Sequence, residues 1–299
     1  MEIVEYKGYK RNLRLAGKTI EIIATLEVGP RILHLSVPGG QNLLTVIESH
    51  MGKSGEPTYQ FRGGHRLWTA PEGPACYAID NAALEVEELP KGVVRVRAPA
   101  DATYGIQKEI DFSLRDRGRR IRLVHRIINT GAAPQKVAPW ALSVMIPGGT
   151  AILPLPVRGK HPEALLPNQV LALWPYTNLA DPRLTFGTRS ILIAQRPETP
   201  PLKLGVLAVD GWAAYAVAGC LFVKRFPFKP RKAYPDMGVN CEAWTNGGIL
   251  ELESLGPLAR LAPGRKAEHV EEWSLFADVP PIVTEADVDQ HVRPLVEGV

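Results

Sequence analysis

The 299-residue chain has only three cysteines, Cys76, Cys220 and Cys241. An odd, sparse set with no CxxC spacing argues against a disulfide framework and against a thiolate zinc site, and points to a reducing, cytoplasmic setting. The histidines show no HxH or HxxxH spacing, so no metal site is expected. No GxSxG elbow and no P-loop occur, and no cofactor is expected. Long apolar runs are missing too. The longest, Trp212 to Val223, is about 12 residues against the roughly 20 that a spanning helix needs. It contains Gly219 and reads as a buried strand. The opening Met1-Glu2-Ile3-Val4-Glu5-Tyr6-Lys7 lacks the apolar stretch of a signal peptide, and no membrane association is expected. Charge of one sign is scarce as well: 35 basic and 31 acidic residues leave a net charge of +4. Without a basic stripe or a nucleic-acid module, binding to DNA or RNA is not expected. One local cluster, Lys224-Arg225 through Lys229 to Arg231-Lys232, reads either as a solvated Pro-rich loop or as an attractor for an anionic ligand such as a sugar phosphate.

Turn residues are plentiful, with 27 glycines and 27 prolines. Between them, period-two alternation dominates. It predicts strands over residues 18–25, 31–37, 83–89, 93–98, 107–114, 120–128, 189–194, 203–209, 212–225, 239–245, 248–255 and 267–276. Pro90-Lys91-Gly92 and Arg115-Asp116-Arg117-Gly118 read as hairpin turns. Helical periodicity is confined to Glu285 to Val296. Many strands with Gly/Pro turns imply an all-β sandwich or barrel. No composition shift marks a linker, so residues 1–299 read as one domain, with a Pro-rich insertion around Pro154 to Pro175 as a candidate roof for a site.

The densest chemistry lies in Tyr59-Gln60-Phe61-Arg62-Gly63-Gly64-His65-Arg66-Leu67-Trp68-Thr69-Ala70-Pro71-Glu72. Two adjacent glycines allow positive φ or close backbone approach. Around them stand two guanidinium groups, an imidazole, an indole and a carboxylate. A sugar site needs that mixture: an aromatic face for the C–H side of a ring, and bidentate polar groups for vicinal hydroxyls. A structural turn with salt-bridged arginines would use the same residues. A second constellation is Leu250-Glu251-Leu252-Glu253-Ser254-Leu255-Gly256-Pro257. Alternation puts Glu251 and Glu253 on one face, where they repel unless one is protonated or both find cations. Tyr234-Pro235-Asp236 offers an acceptor and an aromatic wall, or an ordinary turn. His125 shares a face with Leu123 and Ile127 and reads as a core histidine.

On these residues the chain resembles the galactose mutarotase-like superfamily, and within it a DUF4380-type branch. The resemblance rests on Val28-Gly29-Pro30-Arg31-Ile32 with Asn42-Leu43-Leu44, on Arg62-Gly63-Gly64-His65-Arg66-Leu67-Trp68 with Pro71-Glu72, and on Glu251 to Gly264 followed by Glu272-Trp273. The middle segment is also similar to the Arg-Gly-Gly segment of hexose-6-phosphate epimerases. The resemblance implies a supersandwich of curved antiparallel sheets with a carbohydrate on the concave face. In active epimerases of this kind a strand carboxylate takes the anomeric proton and a histidine protonates the ring oxygen. Glu253 best matches the base, with Glu251 beside it. Trp140 stands where the mid-chain histidine would be, and His65 is the substitute acid that residue type suggests.

The expected partner is therefore a small-molecule carbohydrate, bound by a monomer or homodimer. Glu253 and His65 are the candidate catalytic pair. Arg62, Arg66, Trp68, Glu72, Trp140, Lys224, Asp236 and Glu251 are the candidate sugar contacts. Three activities fit: anomer interconversion of a hexose or hexose phosphate, a non-catalytic carbohydrate-binding or sensing module, and a sugar lyase or isomerase on the same scaffold. For a phosphorylated sugar the anchors would be Arg62, Arg66 and Lys224, each worth roughly 1.5–3 kcal/mol.

Overall fold

A computed structural model describes residues 2–197 and 199–298. Two antiparallel sheets make up nearly all of it. The first runs in the order Glu2–Tyr6, Tyr9–Ala16, Glu21–Thr25, Arg31–Ser36, His65–Ala70, Gln135–Met145, Leu250–Leu255, Cys241–Thr245, Leu202–Val206, Leu171–Leu173, with Ala259–Leu261 added along Gln135–Met145. The second runs Leu184–Phe186, Ser190–Ala194, Thr150–Pro154, Trp212–Val217, Cys220–Arg225, Lys266–Phe276, Arg120–Asn129, Ile106–Arg115, Val93–Arg97, Glu85–Leu89. One apolar cluster joins them. Leu67, Leu202, Leu204, Ala243 and Leu252 of the first sheet meet Val94, Ile110, Phe112, Ile121, Phe222 and Trp273 of the second. The all-β sandwich expected from the alternation is the architecture found.

Most predicted strands recur within a few residues of their expected ends. The run from Trp212 to Arg225 differs. It is not one strand but two, folded back at Ala218 and Gly219, both with positive φ (51° and 73°). Such two-residue turns twist with the strands they join. Strands without alternation escaped the sequence reading. His65–Ala70 is buried on both faces at all six positions, and Gln135–Met145 is buried from Ala138 onward. A strand covered on both sides loses the period-two signal.

Gly63 and Gly64 hold the entry to the His65–Ala70 strand. Both have positive φ (74° and 71°), and a Cβ on either would lie 2.2 Å from a carbonyl oxygen, that of Thr45 or Ile32. Only glycine tolerates both constraints. The chain ends in helix, Glu285–Asp287, Val288–Val292 and Arg293–Glu297, opened by a Thr284/Asp287 capping box. Its Val288, Val292 and Val296 pack on Ile152, Trp212, Ala214 and Val223 of the second sheet's outer face.

Candidate functional site

The register of five neighbouring strands decides which side chains meet. Arg66 lies opposite Leu142, and Trp68 opposite Trp140. Leu142 also faces Glu253, and Val144 faces Glu251. Glu253 in turn faces Glu242, Glu251 faces Trp244, and Trp244 faces Lys203. Directly opposed residues point to the same side of a sheet. This side turns away from the second sheet, because Leu67, Ala243 and Leu252, on the other side, belong to the shared core. A cleft of about 440 Å³ opens on it, lined by Arg66, Glu72, Leu142, Lys203, Asn246, Ile249, Glu251 and seven of the chain's 21 aromatic residues: Tyr59, Phe61, Trp68, Tyr77, Trp140, Tyr176 and Trp244. A larger groove of about 610 Å³ beside the C-terminal helix has Val37, Pro38, Leu275, Pro280 and Leu295 among its walls and joins no buried charge cluster.

The aromatic rings form a connected wall. Trp68 meets Tyr77 at 5.1 Å, Trp140 at 5.6 Å and Tyr59 at 6.0 Å between ring centres, all edge-on or tilted. Such contacts hold rings rigid. Arg66 lies over Trp68 at 4.2 Å and near Phe61 at 5.1 Å. Its guanidinium grips Glu251 with two bonds, 3.0 and 3.3 Å. Glu72 accepts from the Tyr77 hydroxyl at the cleft's edge.

Beneath the cleft lies a carboxylate pair bracketed by one lysine. Lys203 Nζ is 2.8 Å from Glu242 and 2.9 Å from Glu253, and sits over the rings of Trp140 and Trp174. Trp140 Nε1 donates to the same Glu253 oxygen at 2.8 Å. Burial raises the pKa of Glu242 well above the carboxylate range, and that of Glu253 above it too, against the pull of Lys203. Burial opposes the Lys203 ammonium, but the two carboxylates outweigh it and lift its pKa. Glu253 Oε1 is buried with no hydrogen-bond partner among the described residues.

Of the residues singled out from sequence, Arg66, Trp68, Glu72, Trp140 and Glu251 line this cleft. Glu253 shares their face but is 1% exposed and forms part of the cleft's underside. The others lie elsewhere. His65 neighbours Arg66 in an extended strand, so it points the opposite way, between the sheets. There its Nδ1 meets Ser143 Oγ at 2.9 Å and its Nε2 meets His125 Nε2 at 2.8 Å. Burial, with Lys224 next, holds its pKa well below that of a free imidazole. A general acid facing Glu253 across a sugar ring is therefore not what His65 can supply. Lys224 is fully buried on that inner side, paired with Glu271 at 2.9 Å and donating to the carbonyls of Ala141 and Leu252. It anchors no ligand phosphate, because alternation turns it into the sandwich. Arg62 is spent on Glu56 at 2.7 Å, the Tyr9 hydroxyl and the Lys53 carbonyl. Asp236 sits in the turn Asp236–Gly238, outside the cleft lining.

His125 Nδ1 donates to the His269 carbonyl, leaving Nε2 free to accept from His65. His269 Nε2 donates to Ser254 Oγ, which donates to Glu271 at 2.6 Å. Trp273 Nε1 caps the other Glu271 oxygen. The ligand atoms of His65, His125 and Glu271 lie within 4.8 Å of one another, the spacing of a metal set. A divalent ion there would, however, join the Lys224 ammonium in a fully buried space holding one carboxylate, a charge excess that burial makes costly.

Sequence reasoning missed Tyr77, Tyr176, Lys203, Glu242, Trp244 and Asn246. Tyr59 and Phe61 were inside the quoted segment but were not singled out. Trp244 and Glu242 alternate within a predicted strand, which was the available signal. Lys203 had none, since only cross-strand register brings it to the glutamates.

Comparison with solved structures matches the fold. A galactose mutarotase-like protein from Lactobacillus casei superposes with a TM-score of 0.59 at 10% identity, over 89% of this chain and 100% of that one. A galactose mutarotase related enzyme from Lactobacillus acidophilus gives 0.55 at 10% identity, over 91% and 100%. A galactose mutarotase-like protein from Clostridium acetobutylicum gives 0.55 at 10%, over 92% and 98%. No family model and no curated protein sequence matches the chain, so the likeness to the DUF4380-type branch rests on the quoted segments alone.

Proposed function

We propose that this chain, which has the galactose mutarotase-like fold, binds an uncharged carbohydrate in the aromatic cleft without interconverting its anomers. The observation that carries the binding is the ring wall of Trp68, Trp140, Tyr59 and Tyr77 standing over the two-pronged Arg66–Glu251 pair. The exposed cleft rings, Tyr77 and Tyr176, offer faces to pyranose C–H groups, while Glu251, Glu72 and Asn246 offer acceptors and donors to hydroxyls. The charge balance favours an uncharged ligand. Arg66 and Lys203 each contact a carboxylate at 2.8–3.0 Å, and Glu72 adds a further negative charge. A phosphate would have to displace an existing buried pair.

Turnover would need an acid opposite the base. Among the described residues no histidine lines the cleft, and Glu253 is held by Lys203 and Trp140 rather than presented to a substrate. Mutarotation remains the second reading, favoured by the raised pKa of Glu253 and its unpartnered Oε1. A carboxyl group whose pKa is raised holds its proton more readily and is better suited to proton transfer than a free one.

Saturation-transfer NMR on a panel of free hexoses, hexose phosphates and oligosaccharides separates the readings. The expected result is binding of unphosphorylated sugars, lost in Trp68→Ala, with unchanged α/β exchange. Faster exchange that Glu253→Gln abolishes would establish the mutarotase instead. A panel with no binder at all would end the carbohydrate reading.

A further inference from the structure

Charge of one sign gathers at the end of the first sheet where Ala259–Leu261 pairs with Gln135–Met145. Residues 130–139, 227–235 and 256–267 carry seven basic side chains and no acidic one, in a chain whose 35 basic and 31 acidic residues nearly balance. Backbone pairing brings the three segments together. Lys136 lies directly opposite Arg260. The Leu258 amide donates to the Ala233 carbonyl at 2.8 Å, and the Asn129 amide donates to the Arg265 carbonyl at 3.0 Å. The loop 227–235 is held by its own rings: Phe228 stacks on Tyr234, and the Tyr234 hydroxyl accepts from the Lys229 amide at 2.8 Å.

These charges are left unanswered. Lys266 alone finds a carboxylate, that of Glu268 at 3.5 Å. Lys136, Lys229, Arg231, Lys232, Arg260 and Arg265 are all exposed. Among the described residues none of the six has a carboxylate oxygen within 4.0 Å. Asp236, the next acid along the chain from the loop, acts instead on Glu242. Two cations facing each other across strands destabilise the pair, so the sheet gains nothing from Lys136 opposite Arg260. Val137 packs on the shared core, which turns Lys136 to the cleft side, where Ala138 and Trp140 follow it on the same face.

Six exposed cations spread over three segments suit an extended polyanion better than one small anion. The loop's rings are occupied with each other and Tyr234 is buried, so they offer no platform for a nucleic-acid base. Among the described residues no exposed large apolar side chain falls in the three segments, so nothing there would enter a lipid surface. Carboxylates on a polypeptide need neither feature, only complementary charge.

We propose that this basic face docks an acidic segment of a partner protein, a run of Asp and Glu side chains laid across Lys136, Arg260 and the loop 227–235, beside the aromatic cleft.

Fluorescence anisotropy of labelled poly-glutamate against the full chain tests it, with poly-glutamine as the uncharged control. Poly-glutamate is expected to bind, more weakly as salt is added, and poly-glutamine is not. Arg231→Glu with Lys232→Glu, and separately Lys136→Glu with Arg260→Glu, should each weaken binding about tenfold or more. Lys10→Glu with Arg11→Glu makes the same change of net charge on exposed residues of the Tyr9–Ala16 strand and should leave the affinity nearly unchanged. All six substitutions replace exposed side chains, and circular dichroism should show each variant folded. A wild type indifferent to poly-glutamate overturns the proposal. So does equal weakening by the Lys10/Arg11 reversal, or tighter binding of poly-uridylate or of phosphatidylserine vesicles than of poly-glutamate.

Discussion

At Arg66 three requirements meet in one side chain. It is 2% exposed, it stacks on Trp68, and it holds Glu251 with both prongs. Removing one partner of a buried pair strands the other. Arg66→Ala is therefore expected to cost about 3–5 kcal/mol in chemical denaturation, while an apolar double replacement, Arg66→Met with Glu251→Met, recovers most of that loss. If the double variant is as unstable as the single, the pair is not what the arginine contributes. The inner histidines make a prediction in pH. Burial depresses His125 to about 4 and His269 to about 3, below the ordinary value of about 6.5. Each therefore contributes stability that is complete above pH ~6.5 and is lost as pH falls toward the folded value, at up to about 1.4 kcal/mol per pH unit. Glu242 and Glu253, held above the carboxylate range, act with the opposite sign and lose stability as pH rises past about 4.5. Imidazole ¹⁵N shifts isolate the histidine part. His125 and His269 should both still read as neutral at pH 5, and a midpoint near 6.5 for either would contradict the buried network.

Across strands, the second sheet's outer face shows a ladder of alternating sign. Glu85, Arg97, Glu109, Arg126 and Glu268 stand opposite one another on five successive strands. Glu109 is its centre, 3% exposed, with Arg95, Arg97 and Arg126 at 2.8–3.1 Å. Opposite charges facing across strands stabilise a sheet and like charges destabilise it. Glu109→Lys would place four cations together, and urea unfolding should show a loss of several kcal/mol, far beyond the roughly 1 kcal/mol of an exposed pair. Along the ladder the charges satisfy one another.

For the whole molecule, the C-terminal helix closes a surface that the sandwich leaves apolar. Val288, Val292 and Val296 cover Trp212, Ala214 and Val223. A chain truncated after Thr284 exposes that patch, and light scattering should report aggregation where the full chain stays dispersed. What the sequence alone determined was the all-β class, most strand positions and the terminal helix, because alternation and turn chemistry are local. It also marked Arg66, Trp68, Glu72 and Glu251, since a dense polar-aromatic segment and a two-glutamate strand are visible without neighbours, and it marked Trp140 through the family resemblance. Only the tertiary structure decided which face each residue serves. His65 and Arg66 are adjacent in the chain, yet one enters the sandwich and the other the cleft, because successive residues of a strand point oppositely and the core claimed the side of Leu67. Lys203 reached Glu242 and Glu253, and Lys224 reached Glu271, through cross-strand contacts that no single segment encodes.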